Sequence, residues 1–333
     1  MPNCGTQLTI CDVPVRFDTY VGCTHACKYC FVQRKKSIAE GKTGEGVEAL
    51  KNFIAGKRTN ETKWCDWDIP LHWGGTSDPF QPAEREYRLS YECLKIFAKN
   101  QYPVIISTKG AIIGEQDYIE LLNDCNCAVQ ISLVCPEYDV LEAGAPNFTN
   151  RLKIIESIAK HKRVIVRIQP YMPEVHTSII NSIKQFAEVG AHGVIVEGMK
   201  FAKHLPGLER VGADFCYPLS VLSPLFTELK NAAHDSGMKF YSGENRLRSM
   251  GDSPTCCGVD DMPGFKVNKF NLNHYALGDV AAPTDAMSQP GSGYCFKAFD
   301  QNTGVNAYYM QSTFTGNMLK ALKKAKTDGF PVR

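Results

Sequence analysis

The chain alternates between short apolar runs and longer amphipathic stretches from Val15 onwards. The short runs are rich in β-branched and aromatic residues and nearly continuous in hydrophobicity. Such runs are typical of parallel strands that are covered on both faces. Strands are therefore predicted at residues 15–20, 69–74, 104–108, 128–134, 164–169 and 193–197.

The stretches between these runs repeat apolar positions at helical spacing. In residues 84–100, for example, Tyr87, Tyr91, Leu94 and Ala98 fall on one helix face. Helices are predicted at residues 84–100, 115–123, 150–160, 178–189 and 219–234. Because strands and helices alternate, the fold class is predicted as α/β, a partial (β/α)6 TIM-like barrel, with ligand chemistry at the carboxyl ends of its strands.

Composition divides the chain into three segments. Residues 1–14 lack periodicity and form an N-terminal lead-in, and residues 15–245 form the predicted barrel, which a weak strand at 239–242 extends. Residues 246–333 shift towards Gly, Pro, Asn and Ser and are predicted as an irregular, cysteine-containing C-terminal extension. We expect this extension to pack over the barrel mouth and to end in a short basic helix at 314–326.

The overall charge and the cysteine content exclude some classes of protein. The formal net charge of +2 requires no polyanionic partner, and hydrophobic and charged contents of 44% and 22% are ordinary for a soluble domain. The 14 cysteines are even in number, but the N-terminus has no charged region followed by an apolar one. No run approaches the roughly 20 apolar residues of a membrane span. We therefore predict a cytoplasmic, reduced protein without a membrane segment.

Three cysteines follow the first predicted strand at C-x3-C-x2-C spacing, namely Cys23, Cys27 and Cys30. Three thiolates from one loop can hold a compact metal centre and leave one coordination position open for chemistry. The alternative is a zinc site completed by Cys11 or His25 in a non-catalytic metal-binding or scaffold protein. No second C-x2-C supports that alternative.

This cysteine spacing, with the aromatic Tyr29 before the last cysteine, resembles the signature of radical S-adenosylmethionine enzymes. The resemblance implies that Cys23, Cys27 and Cys30 hold a 4Fe–4S cluster whose fourth iron binds the amino and carboxylate groups of S-adenosylmethionine. It also implies a reductant such as flavodoxin or ferredoxin. Reduction then yields a 5′-deoxyadenosyl radical, which abstracts hydrogen from a substrate.

A second stretch, residues 72–84, resembles the branch of spore photoproduct lyase and the DNA-repair photolyase-like proteins. The similarity covers about residues 15–200. Glycines at a strand end let backbone approach a ligand closely, and hydroxyl and carboxylate groups suit an ammonium or a ribose, although a tight turn has a similar sequence. The predicted cofactor-binding residues are Tyr29, Gly74, Gly75, Thr76, Ser77, Asp78, Lys109, Ser132 and Arg167.

Two positions depart from spore photoproduct lyase. Gly75 stands where that lyase has a hydrogen-donating cysteine, and Phe31 stands where it has a tyrosine. Reversal of thymine dimers is therefore not carried over, and the catalytic residues stay unassigned. A nucleobase or nucleic acid is the leading substrate class, and a peptide or small metabolite is the alternative. Basic residues that could contact nucleic acid are Arg34, Lys35, Lys36, Lys57, Arg58 and the terminal lysines.

Polar residues inside the later strands point to the barrel lumen. Arg167 and Gln169 alternate on the fifth strand and Glu197 lies on the sixth, so that Arg167 either faces a cofactor or substrate anion or forms a salt bridge with Glu197. Two further cysteine groups could hold an auxiliary cluster or be ordinary core thiols. They are Cys125, Cys127 and Cys135, and Cys256, Cys257 and Cys295.

Overall fold

The computed structural model describes residues 2–4, 11–32, 45–59, 62, 69–211 and 214–265. The described strands are β1 (Asn3–Cys4), β2 (Val15–Phe17), β3 (Leu71–Trp73), β4 (Val104–Thr108), β5 (Cys127–Ser132), β6 (Val164–Tyr171), β7 (Gly193–Gly198), β8 (Lys200–Phe201), β9 (Glu209–Val211), β10 (Asp214–Cys216) and β11 (Lys239–Ser242). The described α-helices are α1 (Glu45–Ile54), α2 (Glu84–Tyr87), α3 (Leu89–Asn100), α4 (Gln116–Asp124), α5 (Phe148–Ala159), α6 (His176–Glu188) and α7 (Leu219–Asp235).

The main sheet has eight strands in the order β1-β2-β3-β4-β5-β6-β7-β11. All pairs from β2 to β11 are parallel, and β1 is antiparallel at the edge. Helices connect the parallel strands, and β8, β9 and β10 form a separate small sheet. The predicted partial TIM-like barrel is confirmed, and β11 extends it as expected.

Three features of the described elements were not predicted. The helix expected at residues 84–100 is interrupted, because Arg88 adopts a left-handed φ of 49° between α2 and α3. Helix α1, which has an apolar face formed by Ala49, Leu50 and Phe53, and the small sheet were also not predicted. Among the described helices, none combines the length and hydropathy needed to cross a membrane.

The strands face two environments. Their outward residues pack under the helices, where Trp73 is fully buried and lies against the rings of Phe17, Phe80 and Phe97. Their inward residues line the barrel lumen, and alternation along each strand separates the two sets. The outer core therefore fixes the sheet while the lumen is left for polar side chains.

The lumen is closed at the amino ends of the strands by apolar residues. Ile105 and Ala128 form a buried cluster there with Cys11, Val13 and Cys257. We call this cluster, together with residues 256–265 that complete it, the base. Thus both ends of the described chain meet inside the barrel.

Residues 251–265 run along the amino ends of the strands. Asn126 donates to the Pro263 carbonyl at 3.1 Å, and Arg163 pairs with Asp261. The expectation that this part of the extension covers the mouth is therefore wrong, because its contacts lie at the opposite end of the barrel. The predicted helix at 314–326 and Cys295 lie outside the described residues.

Candidate active site

A cavity of about 600 Å³ runs from the carboxyl ends of the parallel strands into the lumen. Each loop after β2, β3 and β4 contributes to its lining, as parallel barrels position ligands at this end. Every residue predicted from the sequence as a metal or cofactor ligand lines it, namely Cys23, Cys27, Cys30, Tyr29, Gly74, Gly75, Thr76, Ser77, Asp78, Lys109, Ser132 and Arg167. The structure thus brings these residues together, and their individual roles stay predictions.

Two parts of the cavity differ in composition. The upper part, which we call the mouth, contains Cys23, Cys27, Cys30, the loop 74–78, Lys109 and Ser132. The deeper part, which we call the lower chamber, contains Arg16, His72, Gln130, Arg248 and Cys256, and Arg167, whose Cα is in register with Ser132, reaches into it from above to contact Gln130.

The cysteine triad lies in the loop after β2. Cys27 is buried, and Cys23 and Cys30 are half-buried. In the described part of the chain, no three His, Cys, Asp or Glu side chains are already gathered around one ion-sized point. The fit to an iron–sulfur cluster rests on the donor set, because three thiols reach one cavity from a single short loop and each thiolate of a cubane binds a different iron.

The protonation of the triad also suits a metal centre. Burial and the Asp78 carboxylate raise the pKa of Cys23 to about 11, and burial raises the pKa of Cys27. These thiols are therefore neutral on their own. A metal must replace their protons, and its positive charge supplies the stabilisation that the surroundings withhold from the thiolates.

His25 fixes the cysteine loop to the rest of the mouth. Its Nδ1 lies 3.0 Å from the Gly144 carbonyl oxygen and its Nε2 lies 3.1 Å from an Asp78 carboxylate oxygen. Burial opposes the charged ring, but Asp78 outweighs that effect and the pKa of His25 is raised. Because both ring nitrogens are engaged, His25 positions the loop and does not act as the zinc ligand considered above.

Asp78 is a hub of hydrogen bonds. Its carboxylate accepts from the Thr108 hydroxyl at 2.5 Å, the Lys109 amide at 2.6 Å and the Phe80 amide at 2.9 Å. Burial works against the carboxylate, yet His25 and these donors lower its pKa to about 2. The Asp78 oxygens, which were predicted to bind an ammonium or a ribose, thus already accept hydrogen bonds from within the protein.

Asp18, which sequence reasoning missed, organises the loop at residues 74–78. Its carboxylate accepts from the Thr76 amide at 3.1 Å, the Thr76 hydroxyl at 2.5 Å and the Ser77 amide at 3.2 Å. The Ser77 hydroxyl donates to the Tyr20 carbonyl at 2.7 Å. The hydroxyls of Thr76 and Ser77 therefore link β2 to β3. An acidic residue at the end of a barrel strand was the available signal.

The two glycines of this loop differ in how strictly the surrounding space requires them. Gly74 has a φ of +90°, and a Cβ there would lie 2.1 Å from the Ser107 carbonyl oxygen. At Gly75 a Cβ would lie 3.0 Å from Cδ of Arg16. A side chain at Gly75 would thus press on Arg16, so the position that carries a cysteine in spore photoproduct lyase is filled here by the arginine.

Lys109 and Tyr29 are held by a buried ion pair that the sequence did not reveal. Arg151 Nη2 lies 2.5 Å from Glu142 Oε2, and both side chains are almost fully buried. The Tyr29 hydroxyl donates to Glu142, and Lys109 Nζ lies 3.8 Å from the same carboxylate. The pKa of Tyr29 is raised by burial and by Glu142. Glu142 therefore holds both cavity-lining side chains, those of Tyr29 and Lys109, in position.

A chain of polar contacts crosses the lumen below the mouth. His72 Nε2 lies 2.8 Å from the Ser107 hydroxyl, which donates to Gln130 at 2.9 Å. Arg167 donates to the same Gln130 oxygen at 3.0 Å. The chain continues from Arg167 to Gln169, from Gln169 to Glu197 at 2.7 Å, and from Lys200 to Glu197 at 2.8 Å. Arg167 and Glu197 therefore do not form the salt bridge considered above, because the side-chain amide of Gln169 lies between them.

The first auxiliary cysteine group does not come together. Cys125 and Cys135 lie at opposite ends of β5, which spans about 20 Å over its six residues. Burial raises the pKa of Cys127 and Cys135 to about 12. These thiols are core residues and cannot share a cluster.

The second auxiliary cysteine group contains Cys11, which was not predicted to belong to it. The sulfurs of Cys256 and Cys257 lie 3.8 Å apart, and their hydrogen-bonding partner is Cys11 of the lead-in. Cys295 lies outside the described residues, as do Arg34, Lys35 and Lys36. Arg58 stacks 4.1 Å from the Phe53 ring centroid, which reduces its value as a phosphate contact.

Curated relatives identified by sequence carry no assigned function. An uncharacterized protein of Mycobacterium tuberculosis is 27% identical over 215 residues, which are 60% of this chain and 62% of that protein. The chain thus spans less than two thirds of that relative. An uncharacterized protein of Acidianus two-tailed virus is 25% identical over 248 residues, covering 66% of this chain and 80% of its own. No family model matches the sequence.

Solved structures share the fold. Spore photoproduct lyase with bound AdoMet and dinucleoside spore photoproduct aligns over 69% of this chain and 76% of its own, with a TM-score of 0.57 and 12% identity. Streptococcus suis SuiB bound to S-adenosylmethionine aligns over 71% of this chain and 52% of its own, with a TM-score of 0.50 and 13% identity. The fold that the resemblance predicted is confirmed, because these radical S-adenosylmethionine enzymes share it.

Proposed function

We propose that this protein is a radical S-adenosylmethionine enzyme. Cys23, Cys27 and Cys30 would hold a 4Fe–4S cluster, and the loop 74–78 would hold S-adenosylmethionine beside it. The observation that carries this proposal is the meeting of the triad with that loop, Lys109 and Ser132 around one cavity at the carboxyl ends of the parallel strands. When bound, the reduced cluster supplies the electron that cleaves the cofactor to the hydrogen-abstracting 5′-deoxyadenosyl radical.

The residues of the mouth support this chemistry by positioning. Gly74 lets the chain pass within contact of Ser107, so that the loop can approach the cofactor closely. Lys109 presents a positive charge, held by Glu142, to a carboxylate. His25 and Asp78 tie the cysteine loop to the cofactor loop, so that the distance between the cluster and its ligand is fixed.

The substrate and the partners are also part of the proposal. We take a nucleobase-containing molecule as the leading substrate class, supported by the fold shared with a lyase that binds a dinucleoside. SuiB, which has been solved with a precursor peptide, supports a peptide as the alternative. The electron donor would be a small reductant protein such as flavodoxin or ferredoxin in the cytoplasm.

The test is anaerobic reconstitution with iron and sulfide, followed by reduction in the presence of S-adenosylmethionine. We expect release of 5′-deoxyadenosine, measured by chromatography and mass spectrometry. Replacing Cys27 by Ala should abolish both the cluster absorbance and the product, whereas Cys93→Ala, at a buried cysteine of the outer core, is the matched control. Absence of 5′-deoxyadenosine from protein that carries a full cluster would refute the proposal. Zinc near one equivalent with no brown colour would favour the non-catalytic alternative.

A further inference from the structure

Three guanidinium groups line the lower chamber without a carboxylate partner among the described residues. Arg16, Arg167 and Arg248 come from β2, β6 and the turn after β11. The described part of the chain places no carboxylate within salt-bridge distance of any of them. Other cavity-lining cations differ, because Lys200 pairs with Glu197 and Lys109 lies beside Glu142.

Arg248 is the most buried of the three arginines, with an exposed fraction of only 6%. Its Nη2 donates to the Asn245 side chain at 2.6 Å, whereas Nε and Nη1 make no hydrogen bond that satisfies normal geometry. Buried N–H groups normally have acceptors, and a buried guanidinium without one is costly. The site therefore lacks an acceptor that a ligand can provide.

Arg16 and Arg167 complete the set from the opposite side. Arg167 is bound only by the neutral amides of Gln130 and Gln169. His72 lies close enough to both arginines that, together with burial, they lower its pKa to about 3. His72 is thus neutral at physiological pH and adds no compensating or additional charge to the chamber.

Among the described residues that form the chamber, Cys256 is the group that can carry a negative charge, and Glu197, which lines the same cavity, is paired with Lys200. Contacts with Cys11, Cys257 and Arg248 lower the pKa of Cys256 well below that of a free thiol. A Cys256 thiolate compensates one of the three guanidiniums. About two positive charges then remain in a low-dielectric lumen, where repulsion between them is strong unless an anion binds.

We propose that the lower chamber binds the terminal phosphate of a small phosphate-ester substrate. A phosphate monoester carries close to two negative charges at neutral pH, which matches the two uncompensated guanidiniums, and guanidinium forks match phosphate oxygens. The base closes the chamber below, so the group that enters must be a chain end and not an internal phosphate of a polymer. This inference rests on the proposed function, because the remainder of the substrate would point up towards the triad.

Calorimetric binding to full-length, anaerobically reconstituted, unreduced protein tests this inference. The probes are inorganic phosphate, thymidine 5′-monophosphate, thymidine and succinate. We expect the monophosphate to bind at least about tenfold more tightly than thymidine, with inorganic phosphate competing for the same site. Equal binding of nucleotide and nucleoside, or tighter binding of the dicarboxylate succinate, would overturn the assignment to phosphate.

Variants locate the binding site. Arg16→Gln and Arg248→Gln should each weaken monophosphate binding about tenfold or more, because each removes a buried charged donor. Arg85→Gln, on an exposed arginine that pairs with Glu115 and does not line the cavity, should leave binding unchanged. The Arg16→Gln protein should unfold at the same temperature as the parent or higher, since it loses an unpaired charge. Full binding by both chamber variants would exclude the site.

S-adenosylmethionine separates this inference from the proposed function. If the arginines serve the substrate, saturating cofactor leaves the phosphate affinity unchanged or increases it. Competition between the two would show that the arginines hold the cofactor carboxylate and would overturn the inference. Neither outcome depends on release of 5′-deoxyadenosine, so failure of the radical chemistry would be seen separately.

Discussion

The mouth and the lower chamber handle polar groups in opposite ways. In the mouth, Asp78 accepts three hydrogen bonds and an ion pair, and Asp18 binds both Thr76 and Ser77. In the lower chamber, Arg248 keeps two buried donors without acceptors. The mouth also has buried atoms without a hydrogen bond, His25 Nε2 and Glu142 Oε2, but each lies beside an opposite charge, whereas Arg248 has no carboxylate beside it among the described residues.

This contrast separates structural roles from binding roles. Polar residues that saturate one another fix the relative positions of loops, and removing one leaves the other buried and unpaired. Polar residues that lack partners destabilise the empty protein and gain stability when a ligand binds. We therefore expect substitutions around the mouth to lower the free energy of unfolding, and substitutions in the chamber to change mainly ligand affinity and pH dependence.

The largest effect is expected behind the mouth. Glu142→Ala removes the closer partner of the buried Arg151 guanidinium, leaving it Asp139 at 3.5 Å, and should lower the free energy of unfolding by about 3 kcal/mol. Urea denaturation followed by circular dichroism measures the change. Glu115→Ala, which breaks an exposed pair with Arg85, should cost at most about 1 kcal/mol. Similar losses in the two variants would show that the mouth is not specially dependent on its buried pair.

A smaller loss is expected at the glycine of the cofactor loop. Gly74→Ala combines a positive φ with a clash against the Ser107 carbonyl and should cost roughly 2–3 kcal/mol. Gly56→Ala provides the matched control, because its φ of +88° is nearly the same but no atom lies within 4 Å of the added Cβ. It should cost only about 1–2 kcal/mol. Equal costs, measured by urea denaturation, would contradict the required close approach.

The last effect concerns pH, belongs to the chamber and is the smallest when it is expressed per pH unit. The pKa of His72 is about 3 in the folded protein, against about 6.5 in an unfolded chain. The unfolded state therefore binds an additional proton between these values, and stability falls as the pH falls from about 6.5 towards 3. His72 faces Arg16, Arg167 and Cys256, and its half-buried side chain borders the cavity.

His72→Gln should remove this contribution, which is at most about 1.4 kcal/mol per pH unit. Urea denaturation at pH 4, 5, 6 and 7 measures the slope for parent and variant. His161→Gln, at an exposed histidine after α5, should keep the parental slope. An unchanged slope in His72→Gln would mean that the chamber does not hold this ring neutral.

The fold was largely accessible from hydrophobic patterning. The apolar runs at 104–108 and 239–242 have the bounds of β4 and β11, because strands buried on both faces leave a continuous signal. Arg88 breaks a helix by its backbone conformation alone, which residue spacing does not report. Helix α1 follows a segment without periodicity, so its short apolar face had no context.

Those parts of the candidate site that are formed by residues close together in the sequence were predictable. The cysteine spacing and the glycine-containing loop each lie within a dozen residues and follow strands, so their convergence follows from the parallel sheet. The pairing of Glu142 with Arg151, and of Arg248 with Cys256, depends on side-chain directions in three dimensions. Cys11 is the clearest case, because its partners stand more than 240 positions later in the chain.

Because residues of the base pack against the sheet, the barrel domain extends beyond residue 245, the boundary predicted from composition. Gln130 in the lumen donates to the Cys257 carbonyl at 3.0 Å, and a Cβ at Gly258 would lie 2.8 Å from Ile165, so the later segment is packed tightly into the sheet. Residues 11–265 should accordingly melt in one cooperative transition, with no separable tail inside that range. A chain ended at residue 245 would keep every strand of the main sheet and lose the floor of its own cavity.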